Sequence, residues 1–336
     1  MTAPPRRQPA QFAELEPATA PPEARQLPRD AARLLVSEGE RHRAVAFGEL
    51  PGFLEPGDLV VVNESATRKA AVDLTDFPFT LHVSSPTPQG TWIVELRTDG
   101  GRTPLRGPVL ERFGLVGGAR VRIREAYNHD VPARLWIADI DFSDVDEYLA
   151  TFGRFIRYPY VTGEARDDWY QTIFARVPGS AEMPSAGRGF TPRLVERLAA
   201  RGVEVAPLVL HTGVSSQEEG EAPHAEWYEI GEPTRARLRA ARRIIAVGTT
   251  VVRALETLRR TGSPSGYTDL IVRPDDPLTW LGGVLSGFHP PRASHLDMLT
   301  AFVGSESLRN AYELASRGDF RSHEFGDFHL MLRAGP

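Results

Sequence analysis

Four side chains stand out as able to move protons or hold hydroxyl groups: His211, His289, Glu226 and Asp327. A histidine at the end of a strand is a candidate acid–base group near neutral pH. A carboxylate in a neighbouring loop suits proton transfer or contact with ligand hydroxyls. Each has a plainer reading: the histidines as structural hydrogen-bonding groups, Glu226 as a solvated loop residue. Six of the nine histidines follow residue 210, yet neither His-x-His nor HExxH spacing occurs, so a catalytic metal is not expected. His295 and His329 read as residues of a helix surface and a strand surface.

The run Arg243-Ile-Ile-Ala-Val-Gly-Thr-Thr-Val-Val-Arg-Ala-Leu-Glu-Thr257 carries a second kind of chemistry. Ile244 to Val247 has the fully apolar pattern of a strand buried on both faces. Gly248 permits a tight turn, and Thr249 or Thr250 can cap the helix that follows. Such a turn presents backbone N–H groups and a positive dipole end to an anion. Arg253 sits in the first helical turn, where a cation is disfavoured. It either pairs with Glu256 or faces an anionic ligand group, and the turn chemistry favours the second.

These groups need a scaffold that collects loops. Thr191-Pro192 opens a helix that Gly202 closes, and Val203 to Leu210 follows as a strand. An arginine-studded helix over 235–243 leads into the strand at Ile244. The helix after Thr250 ends near Gly262, Asp269 to Val272 reads as a strand, and Ser294 with Asp297 predicts a capped helix to Gly304. A helix over 306–317 and a strand over 328–332 complete the pattern. Strands alternating with helices predict an α/β fold with a mainly parallel sheet and flanking helices. Between Asp58 and Ile140, short strands separated by Gly, Pro and Asp predict an inserted small β-barrel domain. The expected division is a flexible tail over 1–28, an α/β catalytic domain over 29–68 and 141–336, and the barrel over 69–140.

Composition narrows the function. The absence of cysteine excludes disulfides, thiolate catalysis and Cys-ligated metal sites. Only Lys69 is available for a Schiff base, the other 38 basic residues being arginines. No apolar stretch reaches membrane-spanning length and Met1 to Pro28 lacks an apolar signal core, so a cytoplasmic protein is expected. A net charge of −5 does not advertise a nucleic-acid binder.

In order along the chain, Pro56-Gly-Asp-Leu-Val-Val-Val-Asn63, Tyr170-Gln-Thr-Ile-Phe-Ala175, Pro184-Ser-Ala-Gly187 with Phe190-Thr191, Ile245 to Glu256, Phe288-His289, Ala301-Phe-Val-Gly304 and Phe325-Gly-Asp327 form a series. The series resembles the S-adenosylmethionine:tRNA ribosyltransferase-isomerase family of queuosine biosynthesis, from Arg25 to the C-terminus. The resemblance implies an α/β domain interrupted by a β-barrel. It implies transfer and isomerisation of the ribosyl group of S-adenosylmethionine onto 7-aminomethyl-7-deazaguanine in tRNA, giving epoxyqueuosine-tRNA, adenine and methionine without a metal. It places Pro184, Ser185, Ala186, Gly187, Phe190, Thr191, Gly213, Gly248, Thr249, Thr250, Arg253, Glu256 and Phe288 at the S-adenosylmethionine site. It leaves His211 or His289 as the base, and Glu226 or Asp327 for hydroxyl contacts. The chain departs from the family pattern at Asn63-Glu-Ser-Ala66, Ala71, Gly189, Ser215-Ser-Gln217, Glu221 and Gly287. Two other readings therefore stand beside the first: an enzyme of the same scaffold acting on a small nucleoside or amine, and a non-catalytic protein that binds S-adenosylmethionine or RNA.

Overall fold

Leu59 and Val61 enter one hydrophobic core while Val60 and Val62 enter another. The two-residue period of a strand produces this division, and the strand Asp58–Asn63 is buried along its whole length because both faces are covered. The strand Arg243–Val247 divides in the same way, with Ile244 and Ala246 on one side and Ile245 and Val247 on the other. Helices Thr249–Thr261, His295–Val303 and Ser305–Arg317 close the first face through residues such as Val251, Leu299 and Leu308. Helix Pro192–Ala200 and the 3-10 segment Phe47–Phe53 close the second through Leu194, Leu198 and Leu50. This computed structural model describes residues 12–107, 110–127, 133–163, 165–214, 224–291 and 293–333.

Among the described residues, nine strands form the main sheet. Their order is Ser265–Thr268, Glu226–Glu229, Glu204–Leu210, Asp58–Asn63, Arg243–Val247, Gly283–Gly287, Phe328–Leu332, Arg33–Glu38 and Arg41–Ala46. Four neighbouring pairs are parallel and four are antiparallel. The expected mainly parallel sheet is thus corrected to a mixed one. The apolar runs that suggested parallel strands belong to its centre. At one edge, Gly39 and Glu40 alone join two strands, a connection too short for a crossover. The mixture has a functional result. Glu226–Glu229 runs against Glu204–Leu210 and Phe328–Leu332 against Gly283–Gly287, so the loops that lead into them reach the same edge as the loops that leave the parallel strands.

A second, antiparallel sheet runs Ala71–Asp73, Thr80–Pro86, Trp92–Thr98, Leu135–Ile140, Arg120–Ala126 and Arg112–Gly114, with Thr103–Pro104 beside Trp92–Thr98. Its two ends meet: Leu74 bridges Leu115, Thr75 N–H donates to Gly114 O at 3.1 Å, and Val116 N–H donates to Asp73 O at 3.0 Å. Val72, Leu81, Val94, Leu96 and Val121 fill its interior, and Leu149 of helix Val145–Phe152 joins them. On the other face of Trp92–Thr98, Glu95 is wholly buried between the guanidinium groups of Arg97 and Arg134, with His82 Nδ1 at 3.3 Å.

Other expectations need correction. Residues 12–28 are no flexible tail: Leu15 is buried in the first core, Phe12 packs on Tyr312, and Pro17 bridges Ser322. Glu23 supplies the reason, because its carboxylate neutralises the buried Arg188 at 2.7 Å. The rest of that expectation, residues 1–11, lies outside the described residues. The strand expected at Asp269 to Val272 ends at Thr268, as Ser265–Thr268. Ser294 makes no side-chain cap for His295–Val303, and neither threonine caps Thr249–Thr261, whose N-cap is Gly248. No described helix is long and apolar enough to cross a membrane.

Glu95 links this fold to pH. Burial alone would raise its pKa, but the hydrogen bond to His82 and the charges of Arg134 and Arg97 outweigh burial and hold it at about 2, against 4.5 in an unfolded chain. A depressed carboxyl pKa stabilises the fold above the unfolded value, and that stability is lost as pH falls from about 4.5 towards about 2. Glu95→Gln strands two buried guanidinium groups and should cost about 3–5 kcal/mol at neutral pH. It should also flatten the acid limb. Urea unfolding of both proteins between neutral and acid pH checks each outcome.

Candidate active site

A cleft of about 280 Å³ opens at the edge where the parallel strands end, the place where α/β sheets collect ligands. One wall is the turn Gly248-Thr249-Thr250. Gly248 has φ +97°, a conformation that favours glycine, and a Cβ there would also press on Ala186 at 3.3 Å. Because no described side chain caps Thr249–Thr261, the amides of its first turn keep their capacity to bind an anion.

A buried ion pair forms the second wall. Arg253 Nη1 donates to Glu226 Oε2, and Gly213 N–H donates to Glu226 Oε1 at 2.8 Å. Arg253 also donates through Nε to Leu270 O at 3.0 Å, and through Nη2 to Thr268 O at 2.9 Å and His224 O at 3.2 Å. The guanidinium is therefore engaged by the protein, which corrects the expected pairing with Glu256, while Arg253 still lines the cleft. Glu256 is itself fully buried and binds Arg259 at 2.9 Å and Arg260 at 3.5 Å, away from the cleft. Gly213 must lack a side chain, since a Cβ would lie 1.8 Å from His224 Nε2.

Imidazoles line the third wall. The rings of His289 and His295 stack in parallel, with centroids 4.4 Å apart and planes 2° from parallel. His289 Nε2 shares a hydrogen bond with Ser286 Oγ at 2.9 Å. Burial first, then the neighbouring His295 and His323, push the His289 pKa well below its usual value. Burial and Arg253 pull His295 down to about 4. Both rings are neutral at neutral pH, and His295 Nδ1 is buried with no described hydrogen-bond partner. The last wall brings together Tyr158, Tyr160, Glu182, His323 and Glu324.

Of the residues singled out in the sequence, Pro184, Ser185, Ala186, Gly213, Glu226, Gly248, Thr249, Thr250, Arg253, Phe288 and His289 line the cleft. The others have structural places. His211 packs over Gly179 and bonds Ser65 Oγ through Nδ1 at 2.8 Å, and burial with Arg68 lowers its pKa to about 4. Asp327 accepts N–H bonds from Arg33 at 2.8 Å and Arg321 at 2.9 Å, so both carboxylate oxygens tie backbone segments together. Phe190 is core, between Phe47 and Phe174. Thr191 caps Pro192–Ala200 through Leu194 N–H, as expected of a cap, and Gly187 ends a 3-10 turn. At Gly189, a Cβ would meet Phe47 and Phe328 at 2.9 Å, so aromatic rings fill that position. Gly287 has more room, with Asp327 O at 4.0 Å from a built Cβ. Ser215-Ser-Gln217 and Glu221 lie outside the described residues.

Sequence reasoning assigned no site role to His224, His295, His323, Tyr158, Tyr160, Glu182 and Glu324, although Glu324 opens a loop that follows the family pattern. His295 was expected on a helix surface, and it does begin a helix, but at the end that meets the cleft. His329 is likewise no surface residue, being buried and bonded to Ser37 Oγ at 2.7 Å. The usable signal for His323 and Glu324 was position, since their loop leads into a strand that runs against its neighbour.

The Arg253–Glu226 pair generates a prediction. Arg253→Met leaves a buried carboxylate without its cation and should destabilise the fold by about 3–5 kcal/mol. Adding Glu226→Gln should recover part of that loss. Denaturant unfolding of the single and double variants is the measurement, and equal stability of wild type and Arg253→Met would refute the pair's role.

Residues 11–331 match the queuosine biosynthesis protein family. The chain is 34% identical to the S-adenosylmethionine:tRNA ribosyltransferase-isomerase of Rubrobacter xylanophilus, over 92% of each chain. It is 33% identical to the protein of the same name from Moorella thermoacetica, over 91% of this chain and 94% of that one. The crystal structure of the S-adenosylmethionine tRNA ribosyltransferase from Thermotoga maritima superposes with a TM-score of 0.52 at 26% identity, covering 96% of this chain and all of the other. With its full-length match and these relatives, the chain belongs to the queuosine biosynthesis protein family.

Proposed function

We propose that this protein is an S-adenosylmethionine:tRNA ribosyltransferase-isomerase, as its relatives are named. It transfers and isomerises the ribosyl group of S-adenosylmethionine onto a 7-aminomethyl-7-deazaguanine base in tRNA, giving epoxyqueuosine-tRNA, adenine and methionine. One observation carries the reading: an uncapped helix N-terminus and a buried carboxylate line the same cleft. That pairing suits a ligand with an anionic carboxylate at one point and a cation and hydroxyls at others. The buried, unpartnered His295 Nδ1 and Glu324 Oε1 add polar groups that a ligand would satisfy.

S-adenosylmethionine supplies the ribosyl group and a sulfonium that acidifies the adjoining C–H bonds. The first turn of Thr249–Thr261 holds the methionine carboxylate. Glu226, fixed by Arg253 and Gly213, accepts from the ribose hydroxyls. His289 is the base, being neutral and in the cleft wall, whereas His211 packs away from it. On this reading the catalytic body comprises 29–68 and 141–336, with 69–140 as an inserted β-barrel domain. The protein works in the cytoplasm, where its tRNA acceptor is found.

Mass spectrometry of S-adenosylmethionine incubated with the protein tests this reading. Adenine and methionine should appear only when tRNA carrying the deazaguanine base is added. Their absence under every condition would abandon it. His289→Gln should lower turnover about 10²–10⁴-fold, the usual worth of a positioned base, while His211→Gln leaves most activity. The reverse ranking would transfer the role to His211.

A further inference from the structure

Five cleft residues have no chemical role in the assignments above: Tyr158, Tyr160, Glu182, His323 and Glu324. Three of them form an aromatic ladder. Tyr158 and Tyr160 stack with centroids 5.7 Å apart, and Tyr160 and His323 stack at 4.6 Å. Ring faces of this kind are platforms for a heteroaromatic base. His323 is held in place by a backbone with φ +68°, unusual for a residue with a side chain.

Beside the ladder lie two carboxyl groups. Glu182 accepts a hydrogen bond from the Tyr158 hydroxyl. Glu324 Oε1 is buried with no hydrogen-bond partner among the described residues. An orphaned buried polar atom is costly unless a ligand completes it. The charged and titratable groups around Glu324 are Glu182, Arg188, Tyr160 and Tyr170. Arg188 is the one cation among them, and it is committed to Glu23 at 2.7 Å and to Trp169 O at 3.2 Å. Burial first, then the charge of Glu182, raise the Glu324 pKa to about 8. At neutral pH Glu324 therefore keeps its proton and is a hydrogen-bond donor, which an ordinary glutamate is not.

We propose that Glu324 is the acid of this site, donating a hydrogen bond to a ring nitrogen of the donor's adenine and protonating that adenine as it leaves. The proposal rests on the ribosyl-transfer reading. In the step, His289 takes the proton beside the sulfonium. The electron pair so freed moves through the opening sugar ring, which gains a carbonyl, and the glycosidic C–N bond breaks with its pair going to adenine. The Glu324 O–H bond breaks and its proton passes to the adenine ring nitrogen, leaving Glu324 as a carboxylate. One proton is accepted and one is given.

The test compares wild type with Glu324→Gln, which keeps an N–H donor but has no proton to transfer. Calorimetry of S-adenosylmethionine binding, over a pH range bracketing about 8, reads recognition without turnover. Wild-type affinity should fall as pH rises through that value, while Glu324→Gln loses this dependence. Glu182→Gln removes the neighbouring charge and should move the wild-type bend to lower pH. With modified tRNA, adenine release by Glu324→Gln should be slower by about 10²–10⁴-fold. Superimposable pH profiles for wild type and Glu324→Gln would overturn the role of Glu324. Failure of wild type to release adenine would instead overturn the ribosyl-transfer reading, and the binding profiles would still decide whether Glu324 recognises the base.

Discussion

The architecture of the cleft hangs on one buried ion pair, Glu226 with Arg253. Removing two charges from water costs several kcal/mol for each, and attraction between them offsets this only when every remaining donor and acceptor is met. Here Gly213 N–H completes the carboxylate, and the carbonyls of Leu270, Thr268 and His224 complete the guanidinium. These partners come from different segments: the loop after Glu204–Leu210, the approach to Glu226–Glu229, and the chain leaving Ser265–Thr268. The helix Thr249–Thr261 contributes Arg253 itself. A single pair thus sets the distance between the uncapped helix start and the opposite wall, and it accounts for a cation placed where the helix dipole opposes one.

Strand direction distributes the remaining chemistry. A wholly parallel sheet would bring only trailing loops to its carboxyl edge. Reversal of Glu226–Glu229 and Phe328–Leu332 adds the loops that contain His224 and His323-Glu324. The result is a lining in which His224, His289, His295 and His323 are all shifted towards the neutral form, with burial as the largest cause in each. Among the described lining residues, Glu226 is paired with Arg253 and Glu324 keeps its proton, so no unpaired cation faces the cleft. Such a lining does not repel a sulfonium, and a ring of protonated histidines would.

Local features were the legible ones. The Gly248 turn, the Thr191 cap, the ends of the helices and the alternation of strands depend on residues a few positions apart, which a sequence displays directly. Long-range partners were not displayed. Arg253 meets Glu226 from 27 residues away, and Asp327 meets Arg33 from 294. Nothing near Asp327 distinguishes a ligand-binding carboxylate from one that secures two backbone amides. Glu324 shows the same limit from the other side, because it keeps its proton through burial and the charge of Glu182, neither of which is encoded nearby. The placement of proton donors and acceptors is a property of the folded chain, set by partners far apart in sequence.

The strand Phe328–Leu332 lies between Gly283–Gly287 and Arg33–Glu38, so the first hairpin of the chain joins the main sheet through the last strand. Synthesis proceeds from the N-terminus, and domains fold as units once their segments have emerged. Arg33–Glu38 must therefore wait, with one edge unpaired, until Phe328–Leu332 has left the ribosome. The segment around Leu15 and Pro17 waits as well, since both are fastened to Ser322 in the loop ahead of Phe328–Leu332. A chain that stops short of this strand consequently lacks both the link between that hairpin and the sheet and the anchorage of the His323-Glu324 wall of the cleft.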